Sequence, residues 1–193
     1  ANLADICLIR GDLASARRHG ENSLAAGKSA GNFYSALSAI SRLAELDVIQ
    51  GRLHQAAKTF QLAIQKGLEL ELLGEDPICI HGNRQLAGIL LSNLIRNSIH
   101  ATPAGGRISV ILSDSYTGAS IQVEDTGPGI PEVDRKRIFE RFYKTPGSSG
   151  CGLGLSIVQA ITTVHNGTVS LFPRKEGPGL VVTVQFPPLP ADY

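Results

Sequence analysis

The sequence predicts an α+β chain in two parts. An all-α helical-repeat segment covers 1–67. An α/β sandwich, a mixed sheet with helices on one face, covers 68–193. Three observations carry this. Alanine and leucine recur at three- and four-residue spacing through the first third, without β-branched runs, which is the period of amphipathic helices. "LADICLIRGDLASAR" at 3–17 matches "LAELDVIQGRLHQAA" at 43–57, with Leu3/Leu43, Ala4/Ala44, Gly11/Gly51, Leu13/Leu53 and Ala16/Ala56 coinciding. From Gly67 onward the pattern changes to short extended runs alternating with helical ones.

Bulk composition narrows the function classes. With 42% hydrophobic and 18% charged residues, a packed core is expected rather than disorder. A formal net charge of +1 gives no reason to expect nucleic acid or an anionic membrane as partner. No apolar run reaches the roughly 20 residues that span a bilayer, and the first twenty residues lack a basic region followed by an apolar one. The expectation is a cytoplasmic chain with no membrane segment. Cys7, Cys79 and Cys151 show neither metal-ligand spacing nor a disulfide framework, and read as small buried or half-buried hydrophobes.

The repeat is a helix, a glycine turn and a second helix, given twice. A period of this length built from helix pairs marks an α-solenoid, and it resembles tetratricopeptide repeats of the long-period kind found in large bacterial transcription regulators. The resemblance implies a protein ligand for this segment. Two repeats are fewer than the three or more that usually stand alone, so the segment is expected to lean on the rest of the chain or to continue a longer array.

Beyond Gly67, "LELEL" (68–72) alternates and "PICI" (77–80) is short and extended. "NRQLAGILLSNLIRNSIHA" (83–101) is a helix with Asn83 as its N-cap, ended by the turn at 103–106. "RISVILSD" (107–114) and "ASIQVED" (119–125) form a strand pair, and a short helix falls within "EVDRKRIFERF". Then "GSSGCGLGLSIVQAI" (147–161) places four glycines in eight residues ahead of an apolar helix. "GTVSLFP" (167–173) and "GLVVTVQFP" (179–187) make a second strand pair.

Three of these segments carry chemistry. Asn93 and Asn97 lie four apart on one helix face. Amide oxygens there can coordinate Mg²⁺ and the NH₂ groups can reach phosphate oxygens, or the face is simply solvated. Asp125 ends a strand and is followed by Gly127 and Gly129. A carboxylate so placed can accept from the exocyclic amine of adenine while glycines let backbone approach a flat base, or the segment is an ordinary turn. Gly150, Gly152 and Gly154 precede a helix whose free N–H groups and positive dipole end suit phosphate. The loop lacks GxxxxGK[ST], which excludes a P-loop, and it does not follow a strand in a βαβ unit, which excludes a dinucleotide fold.

Together and in this order, the segments resemble the ATP-binding (Bergerat) fold shared by histidine kinases, gyrase and the Hsp90 and MutL families. The similarity is strongest to the catalytic domain of two-component sensor histidine kinases and covers roughly 68–188. "LLSNLIRNSIHATPAGGRISV" resembles the asparagine box, "VEDTGPGIP" the first glycine box, "RIFERFYKT" the phenylalanine box and "GCGLGLSIVQAITTVHNGTVSL" the second glycine box. The resemblance implies ATP and Mg²⁺ as ligands. Asn97 would hold Mg²⁺, Asn93 would lie beside it on the phosphates, and both would be catalytic. His100 falls where a basic residue touches phosphate. Asp125 would read adenine, with Gly127 and Gly129 lining the base. Gly150, Gly152, Leu153 and Gly154 would form the phosphate edge. Phe139 and Phe142 would pack the base of an ATP lid, with Lys144 and Arg141 on the lid side. Thr183 would approach the adenine pocket from the last strand.

The resemblance also separates branches. Hydrolases of this superfamily activate water with a glutamate where Asn93 stands, and an amide cannot take that proton, which favours the kinase branch. Kinases of the family carry the phosphorylated histidine on a two-helix dimerisation hairpin. None of His19, His54, His81, His100 and His165 has that sequence context, and only "AAKTFQLAIQKG" (56–67) resembles the tail of the hairpin's second helix. The implied function is an ATP- and Mg²⁺-binding catalytic domain. It would phosphorylate a histidine on a separate dimerisation domain, within a response-regulator pathway. The alternatives are a serine kinase of the anti-sigma-factor type, or a helical-repeat scaffold with a regulatory ATP site.

Overall fold

The computed structural model describes residues 4–8, 62–74, 78–145 and 150–189. Most of the helical-repeat segment, 9–61, lies outside the described residues. Within its first helix, however, the structure differs from the reading above. Residues Ala4–Leu8 form a strand, β1, antiparallel to β3 (Ile78–Gly82). Helical propensity in so short a run is a weak local preference, and the open edge of β3 offers backbone partners that override it. The cysteine reading is corrected too. Cys79 is disulfide-bonded, and the β1–β3 register places Cys7 across from it; sequence spacing cannot show a pairing made by strand register. Cys151 is a free thiol on the surface rather than a buried hydrophobe.

The main sheet is mixed and five-stranded, in the order β2-β4-β5-β7-β6. The strands are β2 (Glu69–Gly74), β4 (Arg107–Ser113), β5 (Ser120–Asp125), β6 (Thr168–Pro173) and β7 (Leu180–Gln185). β2 and β4 run parallel, and the remaining pairs are antiparallel. Alternation decides the faces. In β5, Ile121, Val123 and Asp125 are buried, whereas Ser120, Gln122 and Glu124 are partly exposed. The apolar face is covered by α1 (Arg84–Ala101) and α3 (Gly154–Val164), with Leu94, Ile99, Val158 and Ile161 in the shared core. The other face is polar. Arg107 pairs with Glu69 at 3.0 Å and Arg174 with Glu124 at 2.7 Å. Among the described residues, α1 and α3 both lie on one face of the sheet.

Residues 62–65 are helical and end in a Schellman motif. Leu68 N–H donates to Ala63 O (3.1 Å) and Gly67 N–H to Ile64 O (2.9 Å), with Gly67 at φ 58. α1 begins at its expected cap: the Asn83 side chain accepts from Gln85 and Leu86 N–H at 2.9 and 3.2 Å. The short helix α2 covers only Glu132–Arg135, after which the chain continues in turns.

α1 and α3 are antiparallel. Gly154, which opens α3, lies against Asn97 near the end of α1. His165, which closes α3, lies against Gly82 and Asn83 at the start of α1. His165 is 4% exposed. Its Nδ1 lies 2.8 Å from Ile161 O, its Nε2 accepts from Asn83 N–H at 3.1 Å, and its ring meets Phe186 edge-on. An Nε2 that accepts leaves Nδ1–H to donate, which sets the neutral tautomer. This histidine fastens the fold and is not presented to any phosphoryl donor.

Candidate nucleotide site

The site lies where α1 ends and α3 begins. A Cβ added to Gly154 would stand 2.6 Å from Asn97 Oδ1 and 2.8 Å from its Nδ2. Only glycine lets the Asn97 carboxamide lie against the first turn of α3, where the free N–H groups of a helix start are concentrated. Two segments almost sixty residues apart are thereby brought together, as the resemblance implied. Asn93, one turn earlier, donates Nδ2–H to Ile89 O at 2.7 Å within its own helix. Leu153 is the half-buried N-cap of α3, and Ser156 Oγ donates back to its carbonyl at 2.9 Å.

Asp125, the last residue of β5, is 2% exposed. It accepts from Gly127 N–H at 2.9 Å, from the Ser98 hydroxyl and from Leu180 N–H. Burial is the largest influence and pushes its carboxyl above the usual range, against the lowering effect of those donors. A carboxylate taken out of water in this way gains from a further donor. Gly127 packs against Asp125 Oδ1 and the Ala101 carbonyl. Gly129 (φ 75) packs against the Gly179 carbonyl, where a Cβ would come within 2.8 Å. Both glycines thus hold the backbone flat beside the carboxylate.

The remaining predicted residues divide. Gly152 (φ 72) packs against the backbone of Phe142 and Tyr143, and its carbonyl accepts Phe142 N–H at 2.9 Å. It therefore closes the stem of the loop. Gly150 and Lys144 are exposed and flank 146–149, which lie outside the described residues. Phe139 is half-buried, but Phe142 is 70% exposed at φ 64. The bond to Gly152 fixes its backbone and leaves its ring in solvent, so the expectation that it packs the lid base is corrected. Tyr143 takes up part of that role, with its hydroxyl 2.5 Å from Asp134 and Arg137 stacked 4.4 Å from its ring centroid. Arg141 is exposed.

His100 stands on the last turn of α1, exposed at the surface. Its pKa is lowered, first by desolvation and then by Lys66 and Arg96. Thr183 is not part of the site. It pairs with Gln122 on the polar face, whereas Leu180 pairs with Asp125. The period of two puts Thr183 on the wrong side of the sheet. Sequence reasoning also missed Ser98 and Leu180 as partners of Asp125. Ser98 had a faint signal, a small polar residue directly after Asn97 on a helix whose buried positions are mostly apolar. Leu180 had none, because it contributes a backbone N–H.

Comparison with known proteins agrees with this geometry. Residues 82–190 match the family described as histidine kinase-, DNA gyrase B-, and HSP90-like ATPase. The sensor protein kinase PmrB of Pseudomonas aeruginosa is 36% identical over 128 residues, covering 65% of this chain and 27% of the relative. The sensor histidine kinase RppB of Synechocystis sp. is 38% identical over 133 residues, covering 66% and 29%. The chain thus spans between a quarter and a third of the length of these relatives. Among solved structures, the mycobacterial sensor histidine kinase MprB superposes with a TM-score of 0.61 at 27% identity, covering 79% of this chain and 93% of that one. The catalytic domain of histidine kinase ThkA gives 0.62 at 25% identity, covering 81% and 96%. Among the described residues no helix is long and apolar enough to cross a membrane. The chain belongs to the histidine kinase-, gyrase B- and Hsp90-like ATPase family.

Proposed function

We propose that the chain is the ATP-binding catalytic part of a sensor histidine kinase, transferring the γ-phosphoryl group to a histidine on a separate dimerisation domain. The observation that carries this is the placement of Asn97 against Gly154, with the next residue, Ser98, donating to buried Asp125. Adenine would donate its amine hydrogen to Asp125, and the triphosphate would run toward the start of α3. Asn97 would hold Mg²⁺. The fit is good, since Mg²⁺ is commonly bound through one or two protein oxygens plus substrate phosphates, and Gly154 leaves the Asn97 oxygen room that a Cβ would fill. The ion would neutralise charge on the transferred phosphoryl group.

Asn93 would steady the phosphates rather than activate water, since its amide cannot act as a base. His100 would gain a proton as the phosphates approach. Leu153 and Gly154 would form the phosphate edge, with Gly150, Lys144 and Arg141 contributing from the loop side. Gly127 and Gly129 would line the base. The kinase reading is supported over a serine-directed one because the relatives above are sensor histidine kinases. The repeat segment would have its own protein ligand and 68–193 would form the catalytic domain, to which β1 and the turn at 62–65 are joined. The test is incubation of the chain with labelled ATP, Mg²⁺ and an isolated histidine-bearing dimerisation domain. Acid-labile label on that domain is expected, and acid-stable label or none would contradict the proposal.

A further inference from the structure

The end of a helix leaves four carbonyls without intrahelical partners, and in α1 those carbonyls belong to the turn that carries Asn97 and His100. Thr102 takes the Ser98 carbonyl through both its N–H (2.8 Å) and its hydroxyl (2.6 Å). The next two are taken by a residue from another part of the chain. Lys66 Nζ donates to Ile99 O at 2.8 Å and His100 O at 3.1 Å, and also to Thr102 O at 2.9 Å. All three ammonium protons are thus spent on one helix end, at a half-buried position where a lost partner is not freely replaced by water.

Lys66 is also the C-cap of the helical turn at 62–65, since Gly67 and Leu68 close the Schellman motif around it. Its own carbonyl accepts Gly105 N–H at 2.8 Å, and Glu69 N–H donates to Gly106 O at 2.9 Å, so the loop after α1 is bound to the same segment. Two helix C-termini, each the negative end of a dipole, therefore meet at one ammonium that offsets both. The same charge contributes to keeping His100 neutral in the free protein. The adenine half meets the same turn through the Ser98 hydroxyl on Asp125 and the Ala101 carbonyl against Gly127, whereas Asn97 and His100 are carried by the turn itself.

We propose that Lys66 is a positioning residue. Through it the chain entering the sheet from 62–65 sets the last turn of α1, and so places Asn97 and His100 for the phosphates and the metal. This rests on the nucleotide reading above. It makes the phosphate half of the site, whose residues are carried on that turn, more responsive to movement of the upstream chain than the adenine half, which meets the turn through Ser98 and Ala101.

The test compares wild type, Lys66→Met and Lys66→Arg in the full chain. Each is titrated with a non-hydrolysable ATP analogue plus Mg²⁺ and, separately, with adenosine, and backbone hydrogen exchange is followed without ligand. Lys66→Met is expected to weaken the triphosphate about fivefold more than adenosine. Lys66→Arg should recover most of that loss, and exchange at Thr102 and Gly105 should quicken in Lys66→Met alone. Equal loss for both ligands, or no loss, would overturn the positioning role. If wild type binds neither ligand, the nucleotide reading fails by itself. The exchange measurement then decides on the clamp, with unchanged protection in Lys66→Met discarding it.

Discussion

The two ends of the α1/α3 pair are built from the same two helices and do opposite things. At the His165 end, both imidazole nitrogens are engaged, the ring fills the space that a Gly82 side chain would occupy, and Phe186 closes the edge. At the Asn97 end, a glycine keeps a carboxamide against a helix start, and the next residue, Ser98, donates to a buried carboxylate. The first end, with both nitrogens of His165 engaged, fixes the axial register of the pair. The second holds polar groups whose energetics improve when a charged, donor-bearing ligand arrives. The difference shows that one packing unit can be rigid at one end so that the other can be precise without being filled.

The largest expected effect breaks the closed end. His165→Ala removes an aromatic-sized core side chain and strands Asn83 N–H, so unfolding free energy from denaturant titration should fall by about 3 kcal/mol. The nucleotide affinity of the folded fraction should change far less. If affinity collapses while stability holds, the two ends are not separable as described.

Asp125→Ala should give the mirror result. Loss of a charge-assisted hydrogen bond should cost nucleotide affinity about 2 kcal/mol, read by calorimetry. Stability of the free protein should change less than affinity, because removing a desolvated carboxylate offsets the loss of the acceptor for Gly127 N–H, the Ser98 hydroxyl and Leu180 N–H. Next comes Gly154→Ala. Its methyl group would press on the Asn97 amide, so affinity measured with Mg²⁺ should fall by about 1 kcal/mol or more, with a smaller loss without Mg²⁺. Equal losses in both conditions would detach Asn97 from the metal.

The smallest effects are in pH dependence. The Asp125 pKa is raised on folding, so the folded state holds the proton more tightly than the unfolded chain. Its contribution to stability is therefore full below pH 3.8 and is lost as pH rises through the raised value. Nucleotide affinity should run the other way, falling as acid protonates the acceptor. For His100 the folded pKa is lowered, so its contribution is present above pH 6.5 and is lost as pH falls through the folded value. Stability curves for Asp125→Asn and His100→Gln should flatten in the acidic and near-neutral windows respectively.

How much of this was legible in the sequence depends on range. Features set by neighbours along the chain read well. These include the Asn83 cap, the hairpin pairs, the Asp125 turn and the glycine-to-helix entry at Gly154, because cap chemistry and period-two alternation are local. Features set by register did not. Thr183 and Leu180 are three residues apart, and an odd shift along a strand exchanges the faces, so only pairing with β5 shows that Leu180 meets Asp125. β1 was read as helix because its strand character comes from β3, more than seventy residues away. Lys66 carried no motif at all. Its role exists only because the helical turn at 62–65 and the end of α1 meet in space.

The most direct measurement is calorimetric titration of the full chain and of Asp125→Ala with a non-hydrolysable ATP analogue, each with and without Mg²⁺. Wild type should bind, and bind more tightly with Mg²⁺. Asp125→Ala should lose about 2 kcal/mol of affinity while keeping its Mg²⁺ dependence, because the metal acts at the Asn97 end. Unchanged affinity in Asp125→Ala, or wild-type binding indifferent to Mg²⁺, would contradict the assignment of the two halves of the site.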